Sequence, residues 1–339
     1  MTVTALTVRD LDPLDLRIPG WRKDRLVHRN CPLCQRGGLA YARRPDLLTV
    51  CFCEDCNMSF VSPAPDTEAL GAFYSDYDAT HRRGRRVGRR ELVEVLKGTD
   101  PKRDYRLSTV SRCCDLRGKR LLDVGFGRGA MLTLASRLGA AVEGLELDQK
   151  AVDAARRDLG LSGCRLGTIE TLPPTPAYHV ILMMDLIEHV LDPLSTIREA
   201  LSRLLPSGLL VLWTPNGSEL NTAVQPVQLR VDLEHMQYFT AQAIRSVAKR
   251  FDVAVVHLEQ TGHPDLSVLG AAHHRRGLQL WTDTARAAVK SIPGFRLVER
   301  LRRRNWIDPL GDRHGRYHLF AILQKPAPAG AVLANAGSG

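Results

Sequence analysis

The sequence predicts an α/β fold, a parallel sheet with helices on both faces, preceded by a small cysteine-bearing module. Three observations carry this. From Arg120 onward, short apolar runs alternate with amphipathic segments of helix length. The first run breaks into a glycine-rich turn, "DVGFGRG", beginning at Asp123. Five of the eight cysteines fall between residues 31 and 56. Repeated βα units bury an all-parallel sheet between helices, and ligands on such sheets bind beyond the carboxyl ends of the strands.

The elements follow in chain order. "RLLDV" reads as the first strand and "AMLTLASRL" as a helix closed by Gly139. "AAVEGLELD" is the second strand, and "AVDAARRDL" a helix closed by Gly160. "AYHVILMMD" is a buried strand, "LSTIREALSRLLPSG" a helix and "LLVLWTPN" a further strand. This pattern brings Asp123, Glu146, Asp185 and Pro215 around one crevice.

The turn carries the chemistry. Gly125, Gly127 and Gly129 follow Asp123 with the spacing D-x-G-x-G-x-G. Glycine lets the backbone turn tightly and approach a ligand closely, and the next helix presents its N-terminal amides. Glu146 ends the next strand, where an acid can accept hydrogen bonds from both ribose hydroxyls. The spacing is not the dinucleotide fingerprint G-x-G-x-x-G. A nucleoside-bearing cofactor is expected.

In the front module Cys31 and Cys34 form "CPLC", and Cys53 and Cys56 form "CEDC", with eighteen residues between the pairs. Two such knuckles present four thiolates to one tetrahedral Zn²⁺, and four thiolates leave no open position for substrate. The zinc is therefore expected to be structural. Cys51 is the spare, and Asn57 stands where a knuckle needs a residue tolerant of positive φ.

Composition sets the remaining bounds. Apolar content of 44% and charged content of 25% fit an ordinary folded protein. No apolar run approaches the roughly 20 residues that span a bilayer, and "MTVTALTVRD" lacks the features of a signal peptide. The expectation is a cytoplasmic protein with no membrane partner. The net charge of +10 is uneven: residues 81–120 carry fourteen Lys or Arg against five acids, and residues 273–304 nine against two. Such patches suit an anionic partner, a phosphorylated or carrier-linked small molecule or a nucleic acid, or else form solvated helix faces.

"LLDVGFGRG", "VEGLELD", "HVILMMDLIEHVLDP" and "PSGLLVLWTPN" resemble, in this order and spacing, the class I S-adenosylmethionine (SAM)-dependent methyltransferases. The front segment, "CPLC" to "FVSPAPDTEALGAFYSDYD", resembles the zinc-ribbon leader of some bacterial members that modify sugars or natural products. The resemblance implies a Rossmann-like seven-stranded sheet of order 3-2-1-4-5-7-6, with "FDVAVVHLEQ" as strand six and "RYHLFAILQKP" as antiparallel strand seven. It implies SAM as cofactor. Asp123, Gly125, Phe126, Gly127 and Gly129 would hold its methionine end and Glu146 its ribose, with Leu147, Thr168, Ile169 and Asp185 along the pocket wall. Thr168 stands where members commonly carry an aspartate.

Asp185, Glu188 and His189 are spaced as on one face of a helix starting near Asp185. Three readings stand open. They could line the cofactor pocket. With His235 they resemble the ExxEH plus distant histidine of two magnesium-using relatives, the ubiquinone-pathway O-methyltransferase and the small-RNA 2′-O-methyltransferase. Alternatively His235, with His189 nearby and Glu234 to orient it, is a general base, as "EHMQY" resembles the Glu-His pair of zinc-ribbon sugar C-methyltransferases.

The expected organisation is an extension over 1–26, a zinc ribbon over 27–62 and a basic helical lid over 63–118, with Phe73, Tyr74 and Tyr77 near the pocket. The methyltransferase domain then spans 119–325 with an insertion at 263–314, and a disordered tail covers 326–339. The expected function is O- or C-methylation of a small-molecule acceptor, such as a sugar, nucleotide-linked or natural-product intermediate. An RNA methyltransferase and a non-catalytic zinc-ribbon adaptor are the alternatives.

Overall fold

The computed structural model describes residues 8–14, 17–75, 93, 96–220, 227–262 and 315–327. Tyr77, most of the basic segment 81–95, the insertion 263–314 and the tail beyond residue 327 lie outside the described residues. The front of the chain supplies β1 (Arg9–Asp10), β2 (Leu26–Val27), β3 (Leu39–Arg43), β4 (Thr49–Cys53), β5 (Met58–Val61) and β6 (Ala64–Pro65), then α1 (Thr67–Ser75) and α2 (Tyr105–Cys113). The main part alternates β7 (Arg120–Val124), α3 (Ala130–Arg137), β8 (Ala141–Glu146), α4 (Gln149–Leu159), β9 (Cys164–Leu166) and β10 (Tyr178–Met184). It continues with α5 (Pro193–Arg203), β11 (Leu204–Pro215), β12 (Gln237–Tyr238), α6 (Ala241–Arg250), β13 (Ala254–Thr261) and β14 (His318–Gln324).

Seven of these strands form one sheet, in the order β9-β8-β7-β10-β11-β14-β13. In order of their occurrence this is 3-2-1-4-5-7-6, the arrangement the resemblance implies. β7, β8, β9, β10 and β11 run parallel, and β14 pairs antiparallel with both β11 and β13. β10 is a continuous apolar run because, as an inner strand between β7 and β11, it is buried on both faces. Alternate residues divide between two cores. Leu122, Ile181, Met183, Leu210 and Leu212 face one, while Leu121, Val180, Leu182, Val211 and Trp213 face the other.

Helix ends follow local chemistry. The Asp148 side chain caps α4 by accepting from the Lys150 amide, and Gly160 closes that helix at φ 69°. The helix expected over "LSTIREALSRLLPSG" stops earlier, at Arg203. Pro206 lacks an amide hydrogen and Ser207 sits at φ 61°, so this stretch becomes the irregular first part of β11.

The front module does not stand apart. Its antiparallel strands β3, β4 and β5 extend a second sheet of order β1-β3-β4-β5-β12, whose last member comes from the main domain, between β11 and α6. Gln237 pairs with Phe60 and Tyr238 with Ser59. The module's cysteines share a buried cluster with Leu122, Ile181 and Leu212 of the large sheet and Ile244 of α6. Arg250 donates to the Leu33 carbonyl, and the Thr240 hydroxyl to that of Asn57. Among the described residues no helix is long and apolar enough to cross a membrane.

Candidate active site

The turn after β7 is built as its glycines require. Gly125, Gly127 and Gly129 have φ of 75°, 55° and 78°. A Cβ at Gly129 would come within 3.0 Å of Leu159, so α3 packs closely on α4 here. At Gly127 a Cβ would meet nothing within 4 Å, so this backbone faces open space in which a ligand can approach. The Glu146 carboxylate, at the end of β8, accepts from the Gly127 amide at 2.8 Å and the Leu147 amide at 2.7 Å. It fixes the turn against the strand beside it.

Asp123 is 2% exposed, and its Oδ1 is buried with no hydrogen-bond partner. Burial pushes its carboxyl up to about 8; the negative charge of Glu146 adds to this and the nearby Arg106 opposes it. A buried acceptor without a donor suits a ligand that brings one, such as an ammonium group. These residues therefore fit a nucleoside cofactor with an amino-acid end.

The other expected wall residues differ in what they can offer. Phe126 is buried, and its ring fills the space a Cβ on Gly144 would need, 2.6 Å away, so only its backbone is free to face a ligand. Leu147 is 43% exposed beyond β8, Thr168 is exposed beyond β9, and Ile169 is buried beneath it. Asp185 follows β10 at φ 51°, its amide bonded to the Trp213 carbonyl at 2.8 Å.

That left-handed residue corrects one expectation. Residues 187–189 form a turn, and the helix starts only at Pro193, capped by Asp192. A left-handed Asp185 breaks the chain direction, and Asp192-Pro193 is the better helix start. The turn nevertheless brings Glu188, His189 and His235 together, with ligand atoms all within 4.8 Å of one another. Glu188 is fully buried; its Oε2 accepts from the Thr214 hydroxyl at 2.9 Å and its Oε1 has no partner. Burial, then the charge of Asp185, raises its pKa well above the usual carboxylate range. The His189 and His235 rings lie 4.7 Å apart, edge to face. Tyr74 of α1 bonds Nδ1 of His189 at 2.7 Å.

His235 is 6% exposed rather than a surface-loop residue. Burial, reinforced by His189 and Arg44, lowers its pKa well below the ordinary imidazole value, so the ring is neutral at pH 7. Its Nδ1 has no partner, so Glu234, itself buried, does not orient the ring through that nitrogen.

The sulfur atoms of Cys31, Cys34, Cys53 and Cys56 also lie within 4.8 Å of one another, and all four are free thiols. The left-handed residues Gln35 and Asn57, at φ 62° and 49°, turn the chain after each pair. Cys51, buried nearby, is outside the four. Four convergent sulfur donors suit a tetrahedral zinc ion.

Sequence reasoning missed Arg44, Arg106, Trp213 and His318. Trp213 stacks on His318 at 4.9 Å, and the Arg106 guanidinium lies 5.4 Å over the Trp213 ring. Arg106 acts on both Asp123 and His318, which places a cation at the same edge of the sheet. Single arginines in a basic stretch carry no pattern that would have found them.

Comparison with known proteins agrees with this geometry. Residues 101–258 match the family described as "Methyltransferase domain". The chain is 35% identical over 117 residues to a ubiquinone biosynthesis O-methyltransferase of Nitrosospira multiformis, covering 33% of this chain and 49% of the relative. It is 37% identical over 118 residues to the protein of that name from Xanthomonas oryzae pv. oryzae, with the same coverage. The chain thus spans about half the length of the curated relatives it matches. A solved SAM-dependent methyltransferase from Mesorhizobium loti overlays with a TM-score of 0.44 at 16% identity, over 66% of this chain and 100% of that one. Beside the strand order and the glycine turn, the family match assigns residues 101–258 to a methyltransferase domain.

Proposed function

We propose that this protein transfers the methyl group of SAM to a hydroxyl of a small-molecule acceptor, with His235 as the general base. The observation that carries it is the convergence of the buried Glu188 and His235 with the half-buried His189. The names of the O-methyltransferase relatives support oxygen as the methylated atom.

SAM, when bound, supplies an activated methyl group; the protein has to bind it, align the acceptor and take a proton. Asp123 and the 125–129 turn would hold the amino-acid end, Glu146 the ribose, and Leu147 and Ile169 the base. A neutral imidazole can accept a proton from a hydroxyl at once. Tyr74 holds the neighbouring His189 ring in place. The four thiols of the front module would hold one structural zinc ion, and a cytoplasmic setting would keep them reduced.

The test is calorimetric titration with SAM, followed by transfer of labelled methyl from SAM to a panel of phenolic, catecholic and sugar hydroxyls. Nanomolar to micromolar SAM binding with label on an oxygen is the expected result. No SAM binding would leave the non-catalytic adaptor, and label on RNA alone would favour the nucleic-acid reading.

A second reading is favoured by the same 4.8 Å cluster: Glu188, His189 and His235 as ligands of a divalent ion that polarises the acceptor hydroxyl. Native mass spectrometry decides between them. A second metal ion that disappears in His189→Ala would make His235 a ligand rather than the base.

A further inference from the structure

Arg44 is, with Arg203, the most deeply buried cation among the described residues, and the proposed chemistry leaves it unused. Its side chain is fully enclosed, in the loop between β3 and β4. Nε and Nη2 form a forked pair with Asp46 at 3.1 and 2.5 Å. The remaining donors leave the module. Nη2 bonds the Leu233 carbonyl at 2.6 Å, and Nη1 bonds the His235 carbonyl at 2.5 Å and the Tyr238 hydroxyl at 3.1 Å. Asp46 is held in turn by the Trp21 indole N–H at 3.0 Å and the Leu48 amide at 3.3 Å.

A second set of contacts ties the other half of the site to the same module. Gln237, paired with Phe60 of β5, donates to the Ile187 and Val190 carbonyls, while Arg29 donates to Leu191 and to the Gln237 side chain. The Met236 amide bonds the Glu188 carbonyl at 2.7 Å, joining the two loops. Both loops therefore rest on the cysteine module.

We infer that Arg44 is a positioning residue for the site: its planar fork sets the backbone on either side of His235 and thereby aims that imidazole. A buried guanidinium is costly unless paired and bonded, and Arg44 uses its donors on one carboxylate and two carbonyls that bracket His235. Lysine offers no fork and cannot span Asp46, Leu233 and His235 together. The effect on catalysis rests on His235 being the base; the effect on the ring's position does not.

The test compares two buried arginines. Arg203 is equally enclosed and bonds the Leu172 carbonyl and Glu199, but touches neither loop. The Cε1–Hε1 resonance of His235, assigned with His235→Gln, is recorded in Arg44→Lys and Arg203→Lys alongside SAM titrations. The expected result is a shifted His235 resonance in Arg44→Lys only, with SAM affinity within about twofold of the parent. Once an acceptor is known, kcat should fall about 10- to 100-fold with KM little changed. An unshifted resonance in folded Arg44→Lys, or an equal shift in Arg203→Lys, overturns the inference. If Arg44→Lys does not fold, Tyr238→Phe, which removes one Arg44 partner without emptying the core, decides by the same resonance. Loss of SAM binding in the parent protein would sink the methyltransferase reading while leaving the resonance test intact.

Discussion

The Gly127 amide donates to the Glu146 carboxylate at 2.8 Å, so the acid expected to receive the ribose also braces the turn expected to receive the methionine end. One carboxylate thus links two parts of the proposed cofactor site. Glu146→Ala should weaken SAM binding about 10- to 100-fold, the worth of hydrogen bonds to a charged group. Glu146→Gln should lose less, because an amide oxygen can still accept from Gly127. Isothermal titration calorimetry checks both, and an unchanged affinity in Glu146→Ala would remove this residue from the site.

Asp123 makes a pH-dependent prediction. With its carboxyl raised to about 8 by burial, most of it is protonated at pH 7 in the free protein. A bound ammonium favours the carboxylate and lowers that value, so SAM binding near pH 7 should release a proton. Repeating the titration in buffers of different ionisation enthalpy measures the release. It should vanish in Asp123→Asn; a release unaffected by that change would assign the proton elsewhere.

His318 contributes to the loss of stability in acid. Burial lowers its pKa from 6.5 to about 3, while in the unfolded chain it remains near 6.5. Between those values the unfolded state binds a proton that the folded state refuses, so stability falls as pH drops below 6.5. The slope is about 1.4 kcal/mol per pH unit for one such group. His318→Phe keeps a ring against Trp213 and should flatten the acid limb of a urea-denaturation series. An unchanged slope would place His318's proton affinity near its ordinary value.

The base assignment predicts a split between binding and turnover. His235→Ala should lower kcat by about 10²- to 10⁴-fold, the usual range for a general base, while SAM affinity stays near that of the parent protein. Because its pKa lies well below 6.5, the activity of the parent should hold through mildly acidic pH. A fall in kcat centred on 6.5 would contradict a buried, neutral His235.

The thiol cluster predicts one zinc per chain, released by a mercurial reagent and lost in Cys53→Ser. Strand β5 carries this effect beyond the module, because its Ser59 and Phe60 pair with Tyr238 and Gln237. Zinc removal should therefore speed hydrogen exchange at Gln237 and Tyr238 as well as within β4 and β5. Protection retained at those two residues would separate the module's metal from the site.

The large sheet and the glycine turn at its edge were legible in the sequence because their causes are local. The apolar β10 run, the glycines at positive φ and Gly160 after α4 are each dictated within a few residues. The same is true of the two CxxC pairs, whose spacing anticipates the convergence of the four sulfur atoms. The turn at Asp185 was less legible, since i, i+3 and i+4 spacing reads as a helix until a left-handed residue interrupts it.

The sequence by itself determined the strand pattern, the glycine turn and the thiol set. Only the tertiary structure decided how Tyr74, Glu188, His189 and His235 meet, and that Arg44 lies behind His235. The reason is chain separation: Arg44 and His235 are 191 positions apart, and no local rule of periodicity, capping or turn chemistry relates residues at that distance. Their meeting depends on one strand of the main domain, β12, completing the sheet of the front module.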